Sequence, residues 1–289
     1  MTDLQFDRPP AVVVGSCGHG LAIIRALHAG GVPVIALEAN GALPGARTAM
    51  ARVVMVPGIH GDALMLALEA LAPRIEAPGQ PVLFLTNDSM VRCLGQQWER
   101  LQGRYRLSWS DARQVLVPLL DKPALEARCR EAGVHYPETY VLASADAVDD
   151  AALRIGFPMI AKPARPLSGF KTALPADAGA LRQLVERHQR DLPFLVQRFI
   201  PGDDGRIHFS ALYLDKGKEL ARFDGHKLRS RPMGHTSIAE SLPANDVHAC
   251  TRRFFDGLQL SGPVSLELKR DTDGSLWVIE PTVGRTDFW

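Results

Sequence analysis

The feature that most narrows the fold of this chain is a change of pattern at the turn Pro201-Gly202-Asp203-Asp204-Gly205. Before it, apolar runs alternate with helical spacings. Ala11 to Gly15 is a β-branched run ending in glycine. Leu21, Ile24, Arg25 and Leu27 then recur at helical spacing until Gly30–Gly31, and Val32 to Glu38 is the next strand. A helix over 61–75 leads to a strand over 81–88, and a helical stretch over 111–133 ends at Gly133. A strand over 157–161, a helix over 176–188 and a strand over 193–200 complete this part. After the turn, RIHFSALYL, KELARFDGHKL, PVSLELKRD and SLWVIEP follow one another with short DKGK and TDG turns, and one helix over 244–258 interrupts them. The pattern predicts α/β architecture on a parallel sheet followed by α+β architecture on an antiparallel one.

With 289 residues the chain has room for two or three compact units. A net charge of +1, with Lys and Arg dispersed, gives no field to draw nucleic acid or acidic membranes, so no nucleic-acid or membrane partner is expected. The acids and prolines of MTDLQFDRPP do not form a secretion signal, and no apolar run approaches the roughly 20 residues of a membrane span. Cys17, Cys93, Cys129 and Cys250 lie far apart with no metal-ligand spacing. A cytoplasmic protein with reduced thiols is expected, with association into a homodimer left open.

The glycine-rich turn Gly15-Ser-Cys-Gly-His-Gly20 is spaced GxxGxG, which departs from the dinucleotide fingerprint GxGxxG. Its glycines either let amides approach an anion or let the helix pack close to the sheet. More chemistry gathers later. Lys162 ends the strand over 157–161, a placement that fixes a positive charge for a phosphate, or merely terminates a strand. The loop behind it carries Arg165, Ser168, Gly169 and Lys171, suited to phosphates or to solvent. Leu195 to Asp204 crosses between the two regimes and offers backbone groups to a flat base. The bland alternative is an ordinary strand and turn. Glu267 and Glu280 follow apolar stretches of two strands joined by the TDG turn, so both can enter a cleft, where converging carboxylates need a cation such as Mg²⁺ between them. Pairing with Lys269 or Arg270 is the alternative. His208, His226 and His235 also fall in this region.

In this order the segments resemble the ATP-grasp superfamily, most of all its carboxylate–amine ligase branch, which includes D-aspartate ligases. The resemblance implies an ATP-grasp fold preceded by a Rossmann-like parallel-sheet domain, with boundaries at 1–110, 111–196 for the small lobe and 197–289 for the large lobe. It implies ATP and Mg²⁺ as cofactors, and a ligase joining a small-molecule carboxylate to an amine, or to a thiol, through an acyl phosphate. DK at 121–122 and GFPMIAKP at 156–163 look like the segments whose lysines contact ATP, which nominates Lys122 and Lys162, with Lys171 behind them. LVQRFIPG resembles the adenine hinge and places Gln197, Arg198 and Ile200 at the base and Asp204 at the ribose. FDGHKLRSRPMGHT resembles a segment whose cations face the phosphates and acyl group, nominating Lys227 and Arg229 as catalytic together with Arg285. Glu267, Glu280 and Thr282 fall at the metal-binding positions.

The last motif departs from the superfamily. Glu-x-Asn followed closely by Arg is usual, whereas this chain reads Glu280-Pro-Thr-Val-Gly-Arg285, with a hydroxyl where an amide is expected and Arg285 displaced by one position. The chain ends four residues later, where relatives usually continue. Two rivals follow: a nucleotide-binding module without catalysis, and an oxidoreductase built on the first domain.

Overall fold

The computed structural model describes residues 4–164, 170, 172–230 and 236–286. A short strand β1 (Leu4–Gln5) precedes β2 (Ala11–Val14), helix α1 (Gly18–Ala29), β3 (Val34–Glu38) and β4 (Arg52–Met55). Helix α2 (Gly61–Leu71), β5 (Ile75–Glu76), β6 (Val82–Leu85) and α3 (Asp88–Gln97) follow. β2, β3, β4 and β6 form a parallel sheet of order β4-β3-β2-β6, and β1 pairs with β5 beside it. Every residue of β2 and β3 is buried, as expected for strands covered on both faces. Ile23 and Ile24 of α1 cover one side, and Leu64, Met65, Leu68 and Leu71 of α2 the other.

The glycine-rich turn has a structural occupant. Glu38, at the end of β3, accepts bonds from Ser16 N (2.6 Å), Ser16 Oγ (2.7 Å), Ala39 N (2.8 Å) and Asn40 N (2.9 Å). Burial alone would raise its pKa, and these donors outweigh burial to hold it below the usual range. A Cβ on Gly20 would stand 1.8 Å from the carbonyl oxygen of Gly15, so close packing of α1 on the turn accounts for that glycine.

The expected helix over 111–133 is broken. α4 (Arg113–Leu116) gives way to a 3-10 turn over Val117–Leu120, and α5 (Lys122–Glu131) starts afresh after an extended Asp121. Pro118 and Pro123 lack the amides a continuous helix needs. The break puts Lys122 at a helix start. β7 (Thr139–Leu142), α6 (Val148–Ile155), β8 (Met159–Pro163), α7 (Ala178–Arg187) and β9 (Phe194–Arg198) come next, and the strands form an antiparallel sheet of order β7-β9-β8. Met159, Ala161, Phe194 and Val196 pack on α6 and α7 in a core of their own. Strand alternation then turns Lys162, Leu195 and Gln197 to the opposite face.

The last sheet comprises β10 (Ile207–Asp215), β11 (Lys218–Ser230), β12 (Thr236–Ser241), β13 (Gly262–Arg270) and β14 (Leu276–Val283) in the order β12-β11-β10-β13-β14, all antiparallel. Lys216 and Gly217, both at positive φ, make the two-residue hairpin turn between β10 and β11. One face packs on α8 (Asn245–Phe255) and shares a core with the parallel sheet. The other face, carrying Phe209, Lys227, Glu267 and Glu280, looks toward Lys162. No helix among the described residues is long and apolar enough to cross a membrane.

Candidate active site

The site lies between the cleft faces of the β7-β9-β8 sheet and the five-stranded sheet. A cavity there is lined by Asp88, Lys122, Tyr136, Lys162, Gln197 and Glu280. Burial lowers the pKa of Lys162, opposed by the facing charges of Glu280 and Glu267. Burial also lowers that of Lys122, helped by Lys162 and opposed by Glu280. Two ammonium groups thus share one cavity with the carboxylates of Asp88, Asp121 and Glu280. Gln197 Nε2 donates to Thr139 Oγ1 (2.9 Å) and Pro137 O (3.4 Å), holding its amide at the same wall. Burial pushes the Tyr136 hydroxyl up.

On the facing sheet Glu267 and Glu280 are cross-strand partners. A bulge follows, with Glu267 and Leu268 opposing Glu280 and Val278 so that Ile279 is extra, and both carboxylates stay on the cleft face. Like charges placed opposite one another repel. Lys227 Nζ stands 2.7 Å from Glu267 Oε2 in a buried pair that removes part of the repulsion. Thr282 pairs with Ser265 one step further along the same face, and both are buried.

The other nominated residues are placed more loosely. Arg198 is exposed and stacks on Trp277, with its guanidinium carbon 4.8 Å from the ring centroid. Ile200 is buried, and Asp204 Oδ2 accepts from Ser230 N at 2.7 Å. Arg229 is exposed and donates to Ser237 Oγ at 3.3 Å. Arg285 Nε is bonded to Asp88 at the start of α3, so it reaches the cavity rim rather than its lysines. Lys171, Arg165, Ser168, Gly169 and His235 lie outside the described residues. His208 and His226 sit on the face opposite to Phe209 and Lys227, away from the cleft.

With this geometry the chain superposes on 99% of its length on an ADP complex of N5-carboxyaminoimidazole ribonucleotide synthetase, covering 72% of that chain with a TM-score of 0.74 at 15% identity. L-amino acid ligase from Bacillus licheniformis gives 0.71 at 14% identity, over 97% of this chain and 68% of that one. The chain has the ATP-grasp fold. In sequence it is 21% identical over 271 residues to D-aspartate ligase of Enterococcus faecium (strain Aus0004), a match over 82% of this chain and 62% of that protein. It thus spans less than two thirds of that relative. No protein-family model matches the chain.

On this ATP-grasp frame the donor set suits a hard cation. Glu267, Glu280 and Thr282 offer oxygen ligands only, and Mg²⁺ is commonly held by one or two carboxylates with the remaining ligands supplied by water and phosphate oxygens. Among the described residues no three His, Cys, Asp or Glu side chains converge. A cation held by these residues would complete its shell with oxygens from outside the chain.

Sequence reasoning missed Asp88, Tyr136 and Thr139 at the cavity. Asn87-Asp88 reads in sequence only as the end of a strand, and the segment over 134–142 carries no pattern that assigns it. Gly284 has φ +71, its carbonyl accepts from Trp109 Nε1 at 2.9 Å, and a Cβ there would meet that nitrogen at 2.8 Å. Gly284 thus seats the buried Trp109.

Proposed function

We propose that this chain is an ATP-dependent ligase that activates a small-molecule carboxylate as an acyl phosphate and joins it to an amine. The observation carrying the proposal is the pair of lysines, Lys122 and Lys162, that share one cavity with Glu280, whose cross-strand partner is Glu267, in a cleft between two sheets. Cations on one wall suit the triphosphate of ATP, and acids on the other suit Mg²⁺ bridging to it. The proposal divides the chain at 1–110, 111–196 and 197–289 and places the base at the hinge after β9, beside Gln197 and Ile200.

In the reaction, a carboxylate oxygen attacks the γ-phosphorus, the bridging P–O bond breaks and ADP leaves. The amine nitrogen then attacks the acyl carbon, the C–O bond to phosphate breaks, and the nitrogen loses its proton to solvent. Lys122 and Lys162 bind the phosphates and offset charge on the transferring group, and Lys227 orients Glu267. Mg²⁺, when bound, neutralises the phosphate oxygens. No residue is needed as a nucleophile.

The test is ADP release with hydroxylamine as a general amine and a panel of carboxylic acids, scored by hydroxamate formation. Acid-dependent ADP and hydroxamate in equal amounts support the ligase. MgATP binding without ADP release from any acid supports the second reading, a nucleotide-binding module. Thr282 and the Arg285–Asp88 contact favour that reading, because a hydroxyl is a poorer Mg²⁺ ligand than an amide oxygen. Gain of turnover in Thr282→Asn would then mark a decayed ligase.

A further inference from the structure

The cleft face of the five-stranded sheet has a direction. At one end Lys269 Nζ donates to Gly202 O (2.7 Å), beside the segment that joins the two sheets. Two residues along β13, Glu267 opposes Glu280, and two residues further, Ser265 opposes Thr282. Beyond the carboxylates, on the side away from Gly202, lies a cavity of about 330 Å³. It is lined by Ala211, Tyr213, Ala221, Phe223 and Pro263, with Arg285 at its edge. Register puts Ala211 opposite both Phe223 and Ser265, and Tyr213 opposite both Ala221 and Pro263. The apolar floor is therefore continuous with the acid pair. At about 3.3 Å per residue it begins roughly 7 Å from them.

Tyr213 and Phe223 are 43% and 42% exposed, an uncovered aromatic surface on this face of the sheet. The charged groups of the lining are two arginines, both already paired. The guanidinium of Arg222 is bonded to Asp224 on the opposite face, and that of Arg285 to Asp88. The volume is that of a pocket for a small ligand.

We infer that this cavity takes the side chain of the carboxylic acid substrate, and that the acid carries a branched aliphatic or aromatic group. The inference rests on the ligase reading. With the base at the hinge and the phosphates at the lysines and acids, the reacting carboxylate lies next to Glu267 and Glu280. Its substituent then extends to the far side, over Ala211, Phe223 and Tyr213. A leucine or phenylalanine side chain spans that reach and covers the aromatic surface. A second carboxylate, as in aspartate, would lose its hydration against rings with both arginines already engaged.

The experiment is the hydroxylamine assay with leucine, phenylalanine and 3-phenylpropanoate set against aspartate, glutamate and acetate. We expect kcat/KM at least about tenfold higher for the apolar acids than for the acidic ones, since a single methylene in an apolar pocket already discriminates by about tenfold or more. Ala221→Trp fills the pocket at an exposed position and should remove the advantage of the two aromatic acids over the acidic ones. Equal or better turnover of aspartate or glutamate overturns the inference, as does an unaltered preference in Ala221→Trp. Should no acid release ADP, the ligase reading fails on its own, and the pocket is judged by saturation-transfer NMR of 3-phenylpropanoate with MgADP present. A signal lost in Ala221→Trp supports the pocket. No signal, or one retained in the variant, rejects it.

Discussion

Glu267 and Glu280 are opposite one another yet differently solvated. Glu267 is buried against Lys227, whereas Glu280 is exposed at the cavity. Their substitutions should therefore separate chemistry from folding. Glu280→Gln keeps the shape, removes a charge that faces solvent, and takes away a metal ligand. We predict ADP release down by at least about a hundredfold, the scale of losing one transition-state electrostatic contact, with an unchanged urea midpoint. Parental turnover in this variant would remove Glu280 from the site. Lys227→Ala should act on the fold. It strands a buried carboxylate, which costs on the order of 3 kcal/mol, read as a lower urea midpoint. An unaltered midpoint would mean that water screens the pair.

At the scale of elements, Lys162 and Glu267 were legible as charged residues that follow apolar stretches of a strand, and the structure turns both to the cleft face. Other parts were hidden. β12 is a polar edge strand, β7 and β4 are only four residues long, and the helix break at Asp121 depends on two prolines whose effect a periodic pattern does not display. The Trp109–Gly284 seat joins residues 175 apart in sequence, so no local signal marks it. Gly284→Ala should force an L-residue to positive φ and push a methyl into the indole. We predict a loss of roughly 1–3 kcal/mol in urea unfolding, and no loss would show that the seat yields freely. His208 gives a pH test on the back of the sheet. Burial lowers its pKa from 6.5, helped by the charges of Arg270 and neighbouring His226 and opposed by Asp246. The unfolded chain then binds more protons than the folded one as pH falls below 6.5, so stability declines across that window. Urea midpoints at pH 7.5 and 5 should differ less in His208→Asn than in the parent. An equal difference would assign the decline to other groups.

For the whole molecule, the parallel sheet and the five-stranded sheet share one core, while the β7-β9-β8 sheet has its own. Arg285 and Asp88 tie the end of β14 to α3 at the cavity rim. The small sheet therefore faces a single larger body across the cleft, and the central claim is that MgATP occupies this cleft with its phosphates on Lys122 and Lys162. The succession from an α/β part to an α+β part was legible because the change from alternating to consecutive strands is written in the sequence, whereas the antiparallel pairing of β7, β9 and β8 ahead of the turn was not. The composition of the cleft was not, because it depends on which faces three sheets turn to one another. The most direct test is calorimetric titration of MgATP into the parent and Lys162→Ala, with folding checked by circular dichroism. A charge-assisted phosphate contact contributes about 1.5–3 kcal/mol, so the variant should bind about ten- to a hundredfold more weakly. Equal dissociation constants in parent and variant, or no binding to the folded parent at millimolar MgATP, would contradict the account.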